Sequence, residues 1–310
     1  MRVFVTGASG WIGSALVPEL IGAGHEVVGL ARSDASAAAL TKVGADTVSG
    51  TLDDLDVLRE AAEASDGVIH LAFKHDLAFS GGFQDAADAD RRTVEALGES
   101  LAGSGRPLLI ASGLIGLATG RPSTEDDGRT PDELSALPGG PRTRMGTAHV
   151  ALSFADRNVR SSVVRLPPTV HGDGDNGFVA ALIGIARDKG VAGYIGDGTQ
   201  RWAATHRDDA ARVFRLALEG APAGSVLHAS AEGGVPIRSV AEAIGRHLGV
   251  PTRSVPAEEA AEHFAWLSGF LGLDSPASSE RTRDLLDWNP TGPGLIEDLE
   301  MGHYFRNGGR

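Results

Sequence analysis

The chain has 310 residues and a formal net charge of -13, and 42% of its residues are hydrophobic against 22% charged. This composition excludes a wholly disordered chain, and the length suffices for one large α/β domain or two smaller ones. The negative charge argues against binding to nucleic acid or to an anionic membrane surface. Because the chain has no cysteine, disulfides, thiolate catalysis and cysteine-based metal sites are excluded as well.

The sequence predicts neither a targeting segment nor a membrane-spanning helix. The apolar run at residues 3–5 is too short for a signal-peptide core. The uncharged run at residues 107–120 is too short to cross a bilayer. We therefore expect a cytoplasmic protein whose partner is a small-molecule substrate.

The first half of the chain alternates short β-rich runs with helical patterns. The predicted strands cover residues 2–6, 26–30, 67–72, 107–111 and 161–166, and a further strand begins near residue 46. The predicted helices cover residues 11–23, 36–43, 54–64, 85–101 and 146–155. Strands that alternate with helices at this pace indicate βαβ units, so we predict an α/β fold with a Rossmann-type, doubly wound parallel sheet.

The pattern changes after residue 168. Glycine-rich loops separate helices that are predicted at 178–189, 208–219 and 237–248, and polar loops are expected from residue 255 onward. We predict a dinucleotide-binding domain of residues 1–167. A smaller C-terminal substrate-binding lobe would comprise residues 168–206 and 232–310, while residues 207–231 would pack back onto the first domain.

The most informative stretch is Thr6-Gly-Ala-Ser-Gly-Trp-Ile-Gly13, between the first strand and the first helix. In such a turn the first glycine permits a sharp bend, the second lets a pyrophosphate approach the backbone, and the third allows close packing of helix on strand. The free N–H groups and the positive dipole of the helix N-terminus attract the anion. We therefore predict that a dinucleotide is bound by Gly7, Ser9, Gly10, Trp11, Ile12 and Gly13.

Three further motifs accompany the turn: Gly50-Thr51-Leu52-Asp53, His70-Leu71-Ala72 and Val164-Arg165-Leu166-Pro167. With them the chain resembles the extended short-chain dehydrogenase/reductases, specifically the NAD-dependent epimerase/dehydratase-like group. The resemblance runs from residue 1 to about 220, and more loosely to Trp288-Asn289-Pro290.

The resemblance implies positions around a nicotinamide cofactor. Thr51 and Leu52 would flank the adenine. The ribose beside the nicotinamide would be lined by Leu71, Ala72 and Phe73, and its carboxamide approached by Pro167, Thr169 and Val170. Relatives often dimerise through two helices that flank the sheet, here residues 85–101 and 146–155, so a homodimer is a further expectation.

The residue that ends the second strand distinguishes NAD(H) from NADP(H). An acid there hydrogen-bonds the free ribose 2′-hydroxyl and repels a 2′-phosphate. Here that acid is replaced by Ala31, and Arg32 and Ser33 follow. Since a guanidinium can hold a phosphate with two hydrogen bonds, we favour NADP(H) over NAD(H), with Arg32 and Ser33 at the phosphate. The alternative is that Arg32 is a solvated loop residue.

The catalytic pair of the family is missing. Its chemistry normally uses a Tyr as proton donor and a Lys four residues later, but the two tyrosines here are Tyr194 and Tyr304, and each is followed four residues later by Gly. Counting back from the following strand places the Tyr position between Pro138 and Arg144. The best register puts Arg144 there and Ala148 at the Lys position. Arg is no general acid near neutral pH, but it can orient a carbonyl or carboxylate.

The family's catalytic Ser is retained as Ser112, at the end of a sheet strand. A hydroxyl there could bond a substrate oxygen, or merely satisfy a backbone group. Other candidates on the substrate side are Lys74, His75, Arg144, His171, Asn176 and His206. Each histidine could instead be a structural residue, and Arg144, like Arg142, could merely decorate the start of a helix. With no His pair at metal-ligand spacing, no metal site is predicted.

Two functions fit these observations. The first is an NADP(H)-dependent oxidoreductase that reduces a carbonyl or related group with a non-standard proton donor. The second is a non-catalytic NADP(H)-binding redox sensor, which would explain the missing pair without a substitute. Loops that resemble a substrate cover favour the enzyme. Epimerase or dehydratase chemistry on a nucleotide sugar is less favoured, because it depends on the missing Tyr.

Overall fold

The computed structural model describes residues 1–118, 120–136 and 143–306. Its strands are β1 Arg2–Thr6, β2 Glu26–Ala31, β3 Asp46–Ser49, β4 Gly67–His70, β5 Pro107–Gly113, β6 Arg160–Leu166, β7 Thr169–His171, β8 Ala192–Ile195, β9 Arg201–His206, β10 Ser225–His228, β11 Glu232–Pro236 and β12 Thr252–Val255. Its α-helices are α1 Gly13–Gly22, α2 Asp34–Lys42, α3 Leu55–Glu63, α4 His75–Leu77, α5 Phe83–Leu101, α6 Pro131–Ser135, α7 Arg144–Ser153, α8 Phe178–Lys189, α9 Arg207–Gly220, α10 Ile237–Leu248, α11 Ala260–Phe264, α12 Ser268–Leu271, α13 Glu280–Leu286 and α14 Leu295–Glu300.

Seven parallel strands form the central sheet, in the order β10-β6-β5-β4-β1-β2-β3. This confirms the predicted Rossmann-type α/β fold. The strand order reverses between β1 and β4, where Thr6 lies opposite His70. In an open parallel sheet the ligand crevice forms at the carboxyl ends of the strands on either side of such a reversal. The fold therefore places the crevice between the glycine turn and the end of β4.

Both faces of the sheet are covered, as the continuously apolar strands require. Because side chains alternate along a strand, β1 contributes Val3 and Val5 to one core and Phe4 to the other. The first core contains α1, α9 and Trp288, and the second contains α3, α5 and α7.

The second half of the chain contains strands that the sequence did not predict. A three-stranded sheet has the order β11-β9-β7, and β8 pairs with β12. These strands have three to six residues, too few for their periodicity to stand out. Short helices also occur in the tail expected to be polar loops.

The expected division of the chain can be compared with this packing. β10 pairs with β6 in the central sheet, and α9 lies in the first core together with Leu286 and Trp288. A separate core contains α8, α10 and β8. The domain boundaries themselves stay a prediction.

Candidate active site

The glycine turn follows β1 directly. Gly7 has φ +69, and a Cβ there would lie 2.7 Å from the backbone nitrogen of Ala72. A Cβ on Gly13 would lie 2.1 Å from the Gly7 carbonyl oxygen, so the first turn of α1 can approach β1 only with glycine at this position. The helix begins at Gly13 rather than at the predicted Trp11, because residues 7–12 form the turn.

The exposed part of this turn fits a pyrophosphate. Ser9 and Gly10 are exposed just before the N-terminus of α1, where the positive end of the helix dipole lies. A Cβ on Gly10 would lie 3.1 Å from the Gly7 carbonyl oxygen, so a larger residue would crowd the turn. Ile12 is partly buried against the first core. The described residues therefore fit a dinucleotide at this turn.

Trp11 joins the turn to the second half of the chain. Its indole Nε1 donates a hydrogen bond of 2.8 Å to the Val170 carbonyl oxygen, and the Arg207 guanidinium lies 4.4 Å from its ring centroid. A Cβ on Gly174 would lie 3.8 Å from the same indole. The loop at residues 172–177 therefore lies beside the phosphate-binding turn. Pro167 and Thr169 are buried at the start of that loop, and the Thr169 hydroxyl has no hydrogen-bond partner among the residues that the structure describes.

Arg32 is the first residue after β2, and its side chain is 79% exposed. Its nearest carboxylate is Asp76, at 3.9 Å, and both side chains are exposed, so this pair is weak. Ser33 caps α2 by accepting a hydrogen bond from the Ser36 backbone. Arg32 is thus available to an anion at the carboxyl end of β2, beside the N-terminus of α2.

On the side expected to hold the adenine, Thr51 donates two hydrogen bonds to the Asp54 carboxylate, from its backbone N–H and from its hydroxyl. These bonds lower the pKa of Asp54. Leu52 is buried in the second core. Lys74, predicted on the substrate side, instead lies 2.6 and 2.8 Å from the two oxygens of the Asp53 carboxylate.

Ser112 and Arg144 lie at the same end of the sheet, at the carboxyl end of β5. Ser112 lies near the end of β5, and the Arg144 guanidinium donates a 2.8 Å hydrogen bond to the carbonyl oxygen of Ala111, the preceding residue. Arg144 is the first residue of α7, and its guanidinium also lies 4.3 Å from the Phe73 ring centroid. One turn later, Ala148 is buried in the core, so no cation stands at that position.

Behind Arg144 lies a buried pair that the sequence analysis missed. His70, at the end of β4, contacts the Asp90 carboxylate at 3.0 Å through Nε2, and Thr6 Oγ1 lies 2.7 Å from its Nδ1. The other Asp90 oxygen lies 3.9 Å from Arg144 Nε. Asp90 occupies the buried face of α5 with Thr93, Val94 and Leu97. Asp90 could have been found in the sequence, because it shares the helical spacing of these buried residues. A buried charge requires a partner.

His75 belongs to the same cluster. Its ring lies 5.1 Å from that of Phe73 in an edge-on arrangement. Burial lowers the pKa of His75, and the positive charge of Arg144 lowers it further, while Asp76 and Asp90 oppose the shift. The structure therefore brings Phe73, His75, Arg144 and Ser112 to one end of the sheet. Leu71 and Ala72 connect His70 to Phe73 along the chain and are partly buried against the two cores.

His171 and His206 form a different cluster. Their rings lie 5.6 Å apart, and His171 is fully buried with Nδ1 2.9 Å from the Asp298 carboxylate of α14. His206 caps α9 by accepting from the Asp208 backbone, and burial lowers its pKa. Asn176, in the neighbouring loop, is exposed.

Neither tyrosine takes the place of the missing proton donor at Arg144. Tyr194 lies in β8 beneath Arg238, and the Tyr304 hydroxyl donates to Asp175. Burial raises the pKa of Tyr304, so it remains protonated. In the window predicted for the missing Tyr, residues 138–142, Arg142 included, lie outside the described part of the chain.

Two further findings concern membrane spans and metal sites in the described residues. Every helix in residues 1–118, 120–136 and 143–306 is too short or too polar to cross a lipid bilayer. Within the same ranges, His, Asp and Glu side chains do not gather in threes around a point that could hold a metal ion.

Comparison with known proteins assigns the chain to a family. Residues 3–228 match the model of the NAD dependent epimerase/dehydratase family. The chain is 48% identical over 305 residues to an uncharacterized protein of Schizosaccharomyces pombe, covering 98% of this chain and 100% of that one. It is 31% identical over 276 residues to the 2′-dehydrokanamycin reductase of Streptomyces kanamyceticus, covering 84% of this chain and 71% of the reductase.

A solved structure agrees with this assignment. MoeE5 in complex with UDP-glucose and NAD superposes with a TM-score of 0.75 at 25% identity, and the match covers 99% of each chain. The chain therefore belongs to the NAD-dependent epimerase/dehydratase family of extended short-chain dehydrogenase/reductases, and it is an NAD(P)-dependent oxidoreductase.

Proposed function

We propose that this protein is an NADP(H)-dependent reductase of a carbonyl or related group, in which Ser112 and Arg144 hold the substrate oxygen. The observation that carries the proposal is the place of Arg144. It begins α7 at the position expected for the family's Tyr, and it donates to the backbone of the residue before Ser112. A guanidinium there can polarise a carbonyl although it cannot give up a proton.

The bound nicotinamide supplies the hydride, and the residues of this chain supply position and charge. Ser112 and Arg144 would donate hydrogen bonds to the substrate oxygen and stabilise the negative charge that develops on it. His75 lies within electrostatic reach of Arg144, and we propose it as the group that delivers the proton. Phe73, stacked under the guanidinium, fixes the orientation of Arg144 and shields the site from water.

The preference for NADP(H) rests on Arg32. Its exposed guanidinium at the carboxyl end of β2 would bond a 2′-phosphate, and Ala31 offers no carboxylate to a free 2′-hydroxyl. Replacement of Arg32 by Ala should weaken NADPH binding by about tenfold or more, roughly 1.4 kcal/mol, with NADH binding nearly unchanged. Fluorescence titration with both cofactors measures this. The proposal fails if the wild-type protein binds NADH more tightly.

The reaction itself is tested by NADPH oxidation against ketones, aldehydes and quinones, repeated with Ser112→Ala. We expect turnover in the wild type and a loss of about 10- to 100-fold in the variant, as for removal of one hydrogen bond to the reacting oxygen. Tight NADPH binding without turnover on any compound would instead favour the non-catalytic sensor. The similarity to 2′-dehydrokanamycin reductase supports the proposed reductase function.

A homodimer through α5 and α7 is also part of the proposal. The two helices pack against each other along one face of the sheet. Sedimentation velocity of the full chain would distinguish a dimer from a monomer.

A further inference from the structure

We propose that the substrate is an uncharged carbonyl compound with an aromatic or otherwise apolar body, rather than an anionic one such as a nucleotide sugar. This inference rests on the proposed reductase function and specifies its substrate class. It follows from three features of the crevice: Asp90 offsets the charge of Arg144, the neighbouring surface is aromatic, and exposed carboxylates flank the approach.

The first feature is the buried carboxylate behind Arg144. His70 Nδ1 lies 2.7 Å from Thr6 Oγ1, and its Nε2 lies 3.0 Å from the Asp90 carboxylate. Asp90 is 3% exposed, so water screens its interactions with neighbouring groups only weakly.

Arg144 is the cation that balances this carboxylate. Its Nε lies 3.9 Å from the second Asp90 oxygen, and its side chain is 26% exposed. At this distance the carboxylate offsets part of the guanidinium charge, so an incoming carboxylate or phosphate would meet Asp90 as well as Arg144. The negative charge of Asp90 does not prevent a neutral carbonyl from binding, because the guanidinium keeps N–H groups beyond the one bonded to Ala111.

The second feature is an aromatic surface beside the guanidinium. Phe83, the first residue of α5, lies 6.2 Å from Phe73 in a tilted arrangement and is 51% exposed. Leu77 is also exposed, in the segment that joins Phe73 to Phe83. Single exposed apolar side chains are common, but Phe83 lies next to Phe73, whose ring packs against the Arg144 guanidinium. An aromatic substrate would cover it and gain offset or edge-on ring contacts.

The third feature is the sign of the surrounding charge. Asp76 is exposed beside His75, and Asp85 is exposed two residues after Phe83. Lys74, the lysine in this segment, is already paired with Asp53. The approach to the site therefore disfavours anions, in agreement with the charge of the whole chain.

The test compares two aldehydes of similar size that differ in charge, 4-methylbenzaldehyde and 4-carboxybenzaldehyde, with NADPH as the reductant. We expect the wild-type kcat/KM to favour the neutral aldehyde by about tenfold or more. In Asp90→Asn, which keeps the shape and removes the charge, this ratio should shift toward the carboxylate by about tenfold. A wild-type preference for 4-carboxybenzaldehyde would overturn the inference while leaving the reductase function intact.

Phe83→Ala tests the aromatic surface. It should raise KM for 4-methylbenzaldehyde by about fivefold with a smaller effect on kcat, because ring contacts contribute to binding. Met301→Ala is the matched control, since Met301 is also 51% exposed but lies at the end of α14. Equal effects of the two substitutions on KM would contradict a role for Phe83.

A binding measurement separates this inference from the reaction. Calorimetry on the NADP⁺-loaded wild-type protein should show tighter binding of 4-methylbenzyl alcohol than of 4-methylbenzoate. If neither these aldehydes nor any compound of the wider panel is reduced, the proposed function fails, and the calorimetric order still decides which class of ligand the crevice binds. Tighter binding of the benzoate would overturn the inference in either case, even if Asp90→Asn does not fold.

Discussion

The described part of the chain contains two buried His–Asp pairs with similar short contacts and different surroundings. In the first, His70 and Asp90 lie behind the partly exposed guanidinium of Arg144, at the point where the strand order of the main sheet reverses. In the second, His171 contacts Asp298 of α14, and its Nε2 is buried without a hydrogen-bond partner among the described residues. The first pair is therefore connected to the crevice, whereas the second fastens the C-terminal segment to β7.

The difference shows that a buried His–Asp pair is not by itself a sign of catalysis. The two pairs differ in whether the Asp carboxylate also contacts a second side chain that solvent or substrate can reach. Asp90 has Arg144, while the second oxygen of Asp298 faces His303, whose Nε2 is buried as well. Perturbed, buried ionisable groups serve structure as often as chemistry unless a cleft adjoins them.

The largest effect is expected at Arg144. Arg144→Met should lower kcat/KM by about 100- to 1000-fold, roughly 3 to 4 kcal/mol, because a charged donor to the reacting oxygen is lost. Steady-state kinetics with 4-methylbenzaldehyde measure this, and added guanidinium should restore part of the rate. Arg157→Met, which removes an exposed pair with Glu99 and a contact with the Phe154 ring, is the control. A loss below threefold in Arg144→Met would remove Arg144 from the proposed site.

At the second pair we expect a loss of stability instead. Asp298→Asn leaves His171 without its carboxylate and should lower the free energy of unfolding by about 3 kcal/mol. Urea denaturation followed by tryptophan fluorescence gives this value. In the folded variant, kcat/KM should fall far less than in Arg144→Met. If the two variants lose activity equally, the distinction between the two pairs is wrong.

His228 provides a reference, since it is a buried histidine bonded to the Ser278 carbonyl oxygen rather than to a carboxylate. Burial lowers the pKa of His228 to about 4 from its ordinary 6.5. Its folded form is therefore the neutral one, so its contribution to stability is complete above pH 6.5 and is lost as the pH falls to about 4. The loss is about 3 kcal/mol. Urea unfolding of His228→Gln should show a shallower decline between these pH values, and an unchanged decline would contradict this.

The smallest effect is expected at His75, which we propose as the group that delivers the proton to the substrate oxygen. Because burial and Arg144 lower the pKa of His75, its protonated form becomes abundant only below pH 6.5. The rate of reduction should therefore rise severalfold as the pH falls below that value. Initial rates of His75→Gln across the same range should be lower at acid pH and nearly flat. A variant with the wild-type profile would show that water supplies the proton.

Much of the fold could be predicted because its signals are local. The continuously apolar strands and the glycine turn lie within a few neighbouring residues, and both features appear where expected. α8 and α10 have the predicted limits, since each ends at a glycine with positive φ. The short strands β7, β8 and β12 could not be predicted, because they are strands only through their pairing with distant segments.

The sequence by itself determined the Rossmann-type fold, the family and the absence of the Tyr and Lys pair, since these are matters of residue type at fixed spacing. Only the tertiary structure decided which histidine meets which acid. His70 and Asp90 are 20 residues apart, whereas His171 and Asp298 are 127 apart. Contacts between residues this far apart in sequence depend on strand register and helix packing, which are determined by many long-range contacts at once. For the same reason Lys74 is paired with Asp53, whereas Arg144, which was an equal candidate in the sequence, lies at the centre of the site that we propose.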